Sequence, residues 1–170
     1  VDRSRLRIFG DAFDGFFRFL YSVRRMKETL RNEKSDFVFE AQAAMMEFSA
    51  RLPFTLTAAQ KKVCQEIAHD FATGSVMNRL VQGDVGSGKT AVAAAALYAV
   101  WRVGFQGALM APTEVLARQH YRSFSELFGD AEDRPRIGIL TGSSKAKERR
   151  ELLTQLAQGE LDILIGTHAL

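Results

Sequence analysis

The chain has 170 residues, 46% of them apolar and 25% charged, which is an ordinary globular composition with enough apolar residues for a sizeable core. Its formal charge of +3 permits a nucleic-acid partner without demanding one. Cys64 is the single cysteine, so an internal disulfide is excluded and a reduced, cytoplasmic setting is the simplest account. The histidines His69, His120 and His168 have no zinc spacing, and no run approaches the roughly 20 apolar residues of a membrane span.

Residues 1–35 are basic and rich in phenylalanine. Phe9, Phe13, Phe16, Phe17, Leu20 and Val23 recur at helical spacing, while Arg18, Arg24, Arg25 and Lys27 occupy much of the remainder. Two readings stay open: a helix that binds nucleic acid or a partner, and a helix that docks its aromatic face on a neighbouring domain. A polar break at Asn32–Asp36 and a short extended stretch, Phe37–Phe39, lead to a second amphipathic helix over Glu40–Arg51, with Ala43, Met46 and Phe48 among its apolar positions. Pro53 disfavours helix at Leu52, so a boundary is expected there, between a helical linker segment (1–51) and a nucleotide-binding unit (52–170).

Thr57 is a suitable N-cap for a helix from Ala58 to about Ala72, which Gly74 ends. The apolar pair Leu80-Val81 is expected to end a strand. It runs into Gly83-Asp84-Val85-Gly86-Ser87-Gly88-Lys89-Thr90, which matches the phosphate-loop pattern G-x-x-x-x-G-K-[ST] without a gap. A helix-prone stretch, Ala91–Trp101, follows. A glycine turn between strand and helix aims successive backbone N–H groups and the positive helix end at one point, where a polyphosphate binds. Lys89 would reach the β- and γ-phosphates, and the Thr90 hydroxyl would help to hold Mg²⁺. A side chain at Gly86 or Gly88 would obstruct the approach of phosphate to backbone.

Beyond a turn at Gly104–Gly107, Ala108–Ala111 reads as a buried parallel strand. A helix over Val115–Phe128, a polar loop, and a strand at Ile137–Leu140 follow. Lys145–Gln158 is a charged helix with apolar positions at Leu152, Leu153 and Leu156, and Leu161–Ile165 is the last strand. Four strands alternating with helices predict an α/β fold with a parallel sheet, helices on both faces and right-handed crossovers. Ligands of such sheets bind beyond the carboxyl ends of the strands. Gly83–Thr90, Pro112–Glu114, Thr141–Ser143 and Gly166–His168 all fall there.

Leu52-Pro53-Phe54 with Gln60, Gly83–Thr90, Ala111-Pro112-Thr113-Glu114, Thr141-Gly142-Ser143 and Ile165–Leu170 stand in the order and spacing of superfamily 2 helicases, which the chain closely resembles over residues 52–170. The branch that remodels stalled forks and branched DNA junctions is the most similar; the translocases that couple transcription to repair share part of the pattern. The resemblance implies a RecA-like P-loop NTPase sheet, ATP and Mg²⁺ as cofactors, and branched DNA as partner. Gln60 would read the adenine edge, with Phe54 stacking near the base and Thr57 beside them. Thr113, Arg118, Thr141, Gly142, Ser143, Thr167 and His168 would line the path of one DNA strand, contacting its phosphates without reading sequence.

The family also needs an acidic Asp-Glu strand and a second lobe bearing an arginine. Asp162 begins an apolar strand instead of ending one, so the acidic strand is expected shortly after Leu170. With Val1 in first place, these absences lead us to expect a fragment, truncated before the Asp-Glu motif and lacking the DNA-binding wedge domain and second lobe of its parent. A non-catalytic nucleotide- or DNA-binding remnant is the alternative from another class.

Overall fold

A run of small residues sets the centre of the fold. Ala91, Val92, Ala94, Ala95 and Ala99 are all buried in one helix, and their short side chains let neighbouring elements approach it on several sides. The computed structural model describes residue 21 and residues 35–168, apart from 75, 130 and 131. The expected basic helix within residues 1–35 and the end of the last motif at Ala169-Leu170 lie outside the described residues.

In chain order the elements are α1 (Gln42–Arg51), α2 (Ala58–Thr73), α3 (Lys89–Arg102), β1 (Gly107–Met110), α4 (Glu114–Phe128), β2 (Ile137–Leu140), α5 (Ala146–Ala157) and β3 (Ile163–Gly166). The three strands form a parallel sheet in the order β1-β3-β2. Gly166 of β3 pairs with Met110 on one side and Leu140 on the other, so all three strands end level.

β3 is buried throughout, as a central strand covered on both faces should be. Ile163 and Ile165 face the large core built by α1–α4, whereas Leu164 turns to a smaller cluster with Leu140, Leu161, Leu152 and Leu156 beneath α5. Helices therefore cover both faces of the sheet. Helix α4 meets the large core through Ala117, Tyr121, Phe124 and Phe128, a stripe of helical period. Cys64 is buried in α2, where desolvation pushes its thiol up, as fits a small core residue.

Four expectations need correction. Residues 76–82 form no strand, and Leu80 is 83% exposed: among the described residues no segment pairs with this stretch, and a strand without a partner gains no ladder. The sheet accordingly has three strands, not four. Strand β1 is only half buried, because α5 covers β2 and β3 but leaves Ala108 and Met110 open on the same side. The buried face of α1 is Ala41, Met45, Phe48 and Leu52, while Ala43 and Met46 point outwards. On α5, Leu152 and Leu156 pack and Leu153 is exposed.

Helix α1 shares the core of α3. Phe48 lies against Tyr98 with ring centroids 5.2 Å apart, and the Tyr98 hydroxyl donates to Glu47 Oε1 at 2.8 Å. A ring of charges closes over this contact: Arg51 pairs with Glu47 at 2.6 Å, and Arg102 pairs with Asp133 at 3.0 Å and Glu47 at 3.4 Å. Residues 37–39 have no regular structure, but Phe39 stacks on Phe71 at 4.7 Å and Phe37 meets the edge of Phe105 at 5.0 Å.

Candidate phosphate loop and strand-end site

Helix α2 begins with a reciprocal cap. The Gln60 backbone N–H donates to Thr57 Oγ1 at 3.3 Å, and Thr57 N–H donates to Gln60 Oε1 at 2.8 Å. The other end of the Gln60 amide donates from Nε2 to the Ser87 carbonyl at 2.9 Å. One side chain thus joins a helix start to the glycine loop. In the present geometry both amide ends are engaged within the protein.

The loop is shaped by its glycines. Gly86 has φ 81° and Gly88, the N-cap of α3, has φ 74°, both in the left-handed region that side chains disfavour. A Cβ at Gly88 would also collide with Gln60 Nε2, and one at Gly83 would stand 2.7 Å from Ser87 Oγ. Lys89 Nζ curls back over this turn, donating to the carbonyls of Gly83 at 2.7 Å and Asp84 at 2.8 Å, and to Ser87 Oγ at 3.3 Å. Val85 at the tip is fully exposed. The loop is a cradle of backbone bounded by a lysine at a helix start, which is the donor set a polyphosphate requires. Thr90 follows in the first turn of α3, half buried, and Phe54 is 46% exposed beside Pro53 and Thr55.

The level strand ends bring a second group together. Thr167 N–H donates to the Leu140 carbonyl at 3.3 Å, and Ala111 N–H donates to the Gly166 carbonyl at 2.7 Å. These bonds set the segments after β1, β2 and β3 side by side. Thr113 caps α4, its Oγ1 accepting from Leu116 N–H at 3.3 Å. Arg118 donates to Glu114 Oε1 from Nε at 3.1 Å and Nη2 at 2.7 Å, and Nη2 also donates to Ser143 Oγ at 3.3 Å. Ser143 Oγ donates to the same Glu114 oxygen, and Thr141 Oγ1 lies 3.1 Å from Ser143 Oγ. Thr141 is buried, while Gly142, Ser143 and His168 are exposed.

Of the residues expected at the strand ends, Arg118 and Thr141 each meet Ser143. Thr113 serves its own helix, and Thr167 is anchored through its backbone. The sequence reading missed Glu114 as a member of this group. The available signal was its place four residues before Arg118 in the first turn of a helix. The Ser143 hydroxyl, with the Arg118 guanidinium, holds the Glu114 carboxyl below its ordinary value. At the opposite end of the sheet, Asp162 takes three bonds from Arg136, at 2.7 Å from its N–H, 3.0 Å from Nε and 3.0 Å from Nη2. Asp162 is thus a tie between β2 and β3, remote from the loop.

Comparison with known proteins bears on this arrangement. The sequence pattern of the DEAD/DEAH box helicases matches residues 57–170, and the chain belongs to that family. Its fold is accordingly part of a RecA-like α/β lobe. The chain is similar to the ATP-dependent DNA helicase RecG of Streptococcus pneumoniae, with 45% identity over 159 residues, covering 93% of this chain and 23% of that protein. RecG of Bacillus subtilis is 56% identical over 126 residues, covering 74% of this chain and 18% of the relative. A solved structure of RecG bound to a three-way DNA junction superposes with a TM-score of 0.77 at 39% identity, over 86% of this chain and 20% of that one. The chain spans about a fifth of the length of these relatives.

Proposed function

We propose that this chain is the ATP-binding part of a DNA helicase that couples ATP hydrolysis to translocation on, and remodelling of, branched DNA in recombination and repair. The observation that carries the reading is the loop from Gly83 to Lys89, held in the left-handed backbone at Gly86 and Gly88 and leading straight into α3. Residues 52–170 form the first part of the motor lobe, and 1–51 are the linker before it, with α1 docked on α3. The protein works in the cytoplasm, where nucleotide and chromosome meet.

In this reading the backbone N–H groups of the loop bind the phosphates of ATP. Lys89 leaves the carbonyls of Gly83 and Asp84 to meet the β- and γ-phosphates, compensating negative charge as it accumulates. The Thr90 hydroxyl, in the first turn of α3, would help to hold Mg²⁺, which would supply neutralisation of phosphate charge. Gln60 couples the adenine side to the loop through Ser87, and Phe54 flanks the base. The segments carrying Thr113, Arg118, Thr141, Gly142, Ser143, Thr167 and His168 contact one strand of the DNA through its phosphates. The acidic strand, second lobe and wedge domain belong to the longer parent chain.

The test uses full-length protein. Lys89→Ala abolishes binding of a fluorescent ADP analogue and the DNA-stimulated ATPase, and Arg118→Ala weakens junction binding with nucleotide affinity intact. Unchanged ADP affinity in the Lys89 variant would overturn the assignment.

A further inference from the structure

Three donors converge on one oxygen at the strand ends. Arg118 Nε at 3.1 Å, Arg118 Nη2 at 2.7 Å and the Ser143 hydroxyl all point at Glu114 Oε1. Ser143 has one proton, and it goes to Glu114, so Thr141 must be the donor in its contact with Ser143. The second proton of Nη2 goes to Ser143 Oγ. Of the Arg118 donors only those of Nη1 remain outside the cluster. The groups best suited to grip a phosphate are therefore already gripping a carboxylate.

We propose that Glu114 Oε1 occupies the seat of a phosphate oxygen, making Glu114 a specificity-determining residue that an incoming strand must displace. This rests on the reading of these loops as the DNA path. Planar carboxylate and tetrahedral phosphate are both anions that guanidinium and hydroxyl donors recognise, so one can substitute for the other in the same cluster. Glu114 and Arg118 lie four residues apart on α4, and Ser143 reaches them from the segment after β2, so Arg118 and Ser143 remain neighbours, joined by their own bond, when the carboxylate swings away. The exchange swaps one charge-assisted set of bonds for another. The resident carboxylate discriminates against anions that offer a single weak contact, while a polymeric strand, anchored at neighbouring phosphates, displaces it.

The test measures binding of a fluorescent oligothymidylate to full-length protein by anisotropy, for the wild type, Glu114→Gln, Arg118→Ala and the double variant. Glutamine keeps the shape and one acceptor but releases the charge, so Glu114→Gln binds about fivefold tighter, and the gain disappears in the Arg118→Ala background. Equal or weaker binding by Glu114→Gln, with Arg118→Ala still impaired, overturns the proposal and leaves the DNA path standing. A gain that persists without Arg118 also overturns it, since that is simple removal of a negative charge. Unchanged binding by Arg118→Ala alone refutes the DNA path at these loops and the proposal with it.

Discussion

Gln60 donates from its amide to the carbonyl of Ser87 at 2.9 Å while its amide oxygen accepts the N–H of Thr57 at 2.8 Å, so one side chain ties the start of α2 to the glycine loop. These two duties are separable by substitution. Gln60→Glu keeps an acceptor for Thr57 but turns a donor into a carboxylate facing the Ser87 carbonyl. Its thermal unfolding should stay near that of the wild type, while affinity for ADP falls. Gln60→Ala loses both, with about 1 kcal/mol of stability gone from the cap. A glutamate variant that binds ADP as the wild type does would show that the Ser87 contact is idle.

Gly138 marks where α5 seats on the sheet. A Cβ there would stand 2.9 Å from Leu152 and 2.9 Å from Leu161, both side chains of the smaller cluster. Gly138→Val should cost about 1–3 kcal/mol through overpacking, read as a lower urea midpoint with an unchanged slope. ADP affinity should survive, since the glycine loop is borne by α2 and α3.

Tyr98 should resist ionisation in alkali. Burial, then its hydrogen bond to Glu47, pushes its pKa up to about 12, against the pull of Arg51 and Arg102 nearby. A raised folded-state value favours the protonated phenol. The associated stability is whole below the ordinary tyrosine range near about 10 and is lost as pH climbs towards the folded value. Ultraviolet titration should show a phenol step approaching about 12, together with unfolding, and Tyr98→Phe should remove that step. A Tyr98 that ionises at about 10, the ordinary value of a phenol, would contradict the buried contact with Glu47.

How much of this was legible in the sequence depended on range. The glycine turn ahead of α3 and the Thr57 cap were plain, because each is set by neighbours within a few residues. The central strand Ile163–Gly166 was equally plain, since burial on both faces requires an unbroken apolar run. Glu114 was not, because its partner Ser143 is 29 residues away and only the sheet register brings them together. Leu80-Val81 was misread for the opposite reason: local apolar character does not make a strand where, among the described residues, no neighbour pairs with it. On α1, Met45 and Met46 are equally apolar, and only the position of α3 decides that the first is 3% and the second 66% exposed.

Helix α3 starts at Lys89, which reaches the loop carbonyls, and carries Tyr98 on the flank that receives Phe48 of α1. With 14 residues at about 1.5 Å each, it is about 21 Å long. Phe48 and Lys89 therefore share one mounting: the helix that seats the first on its flank carries the second at its start, so a change in how α1 packs bears on the element from which Lys89 projects.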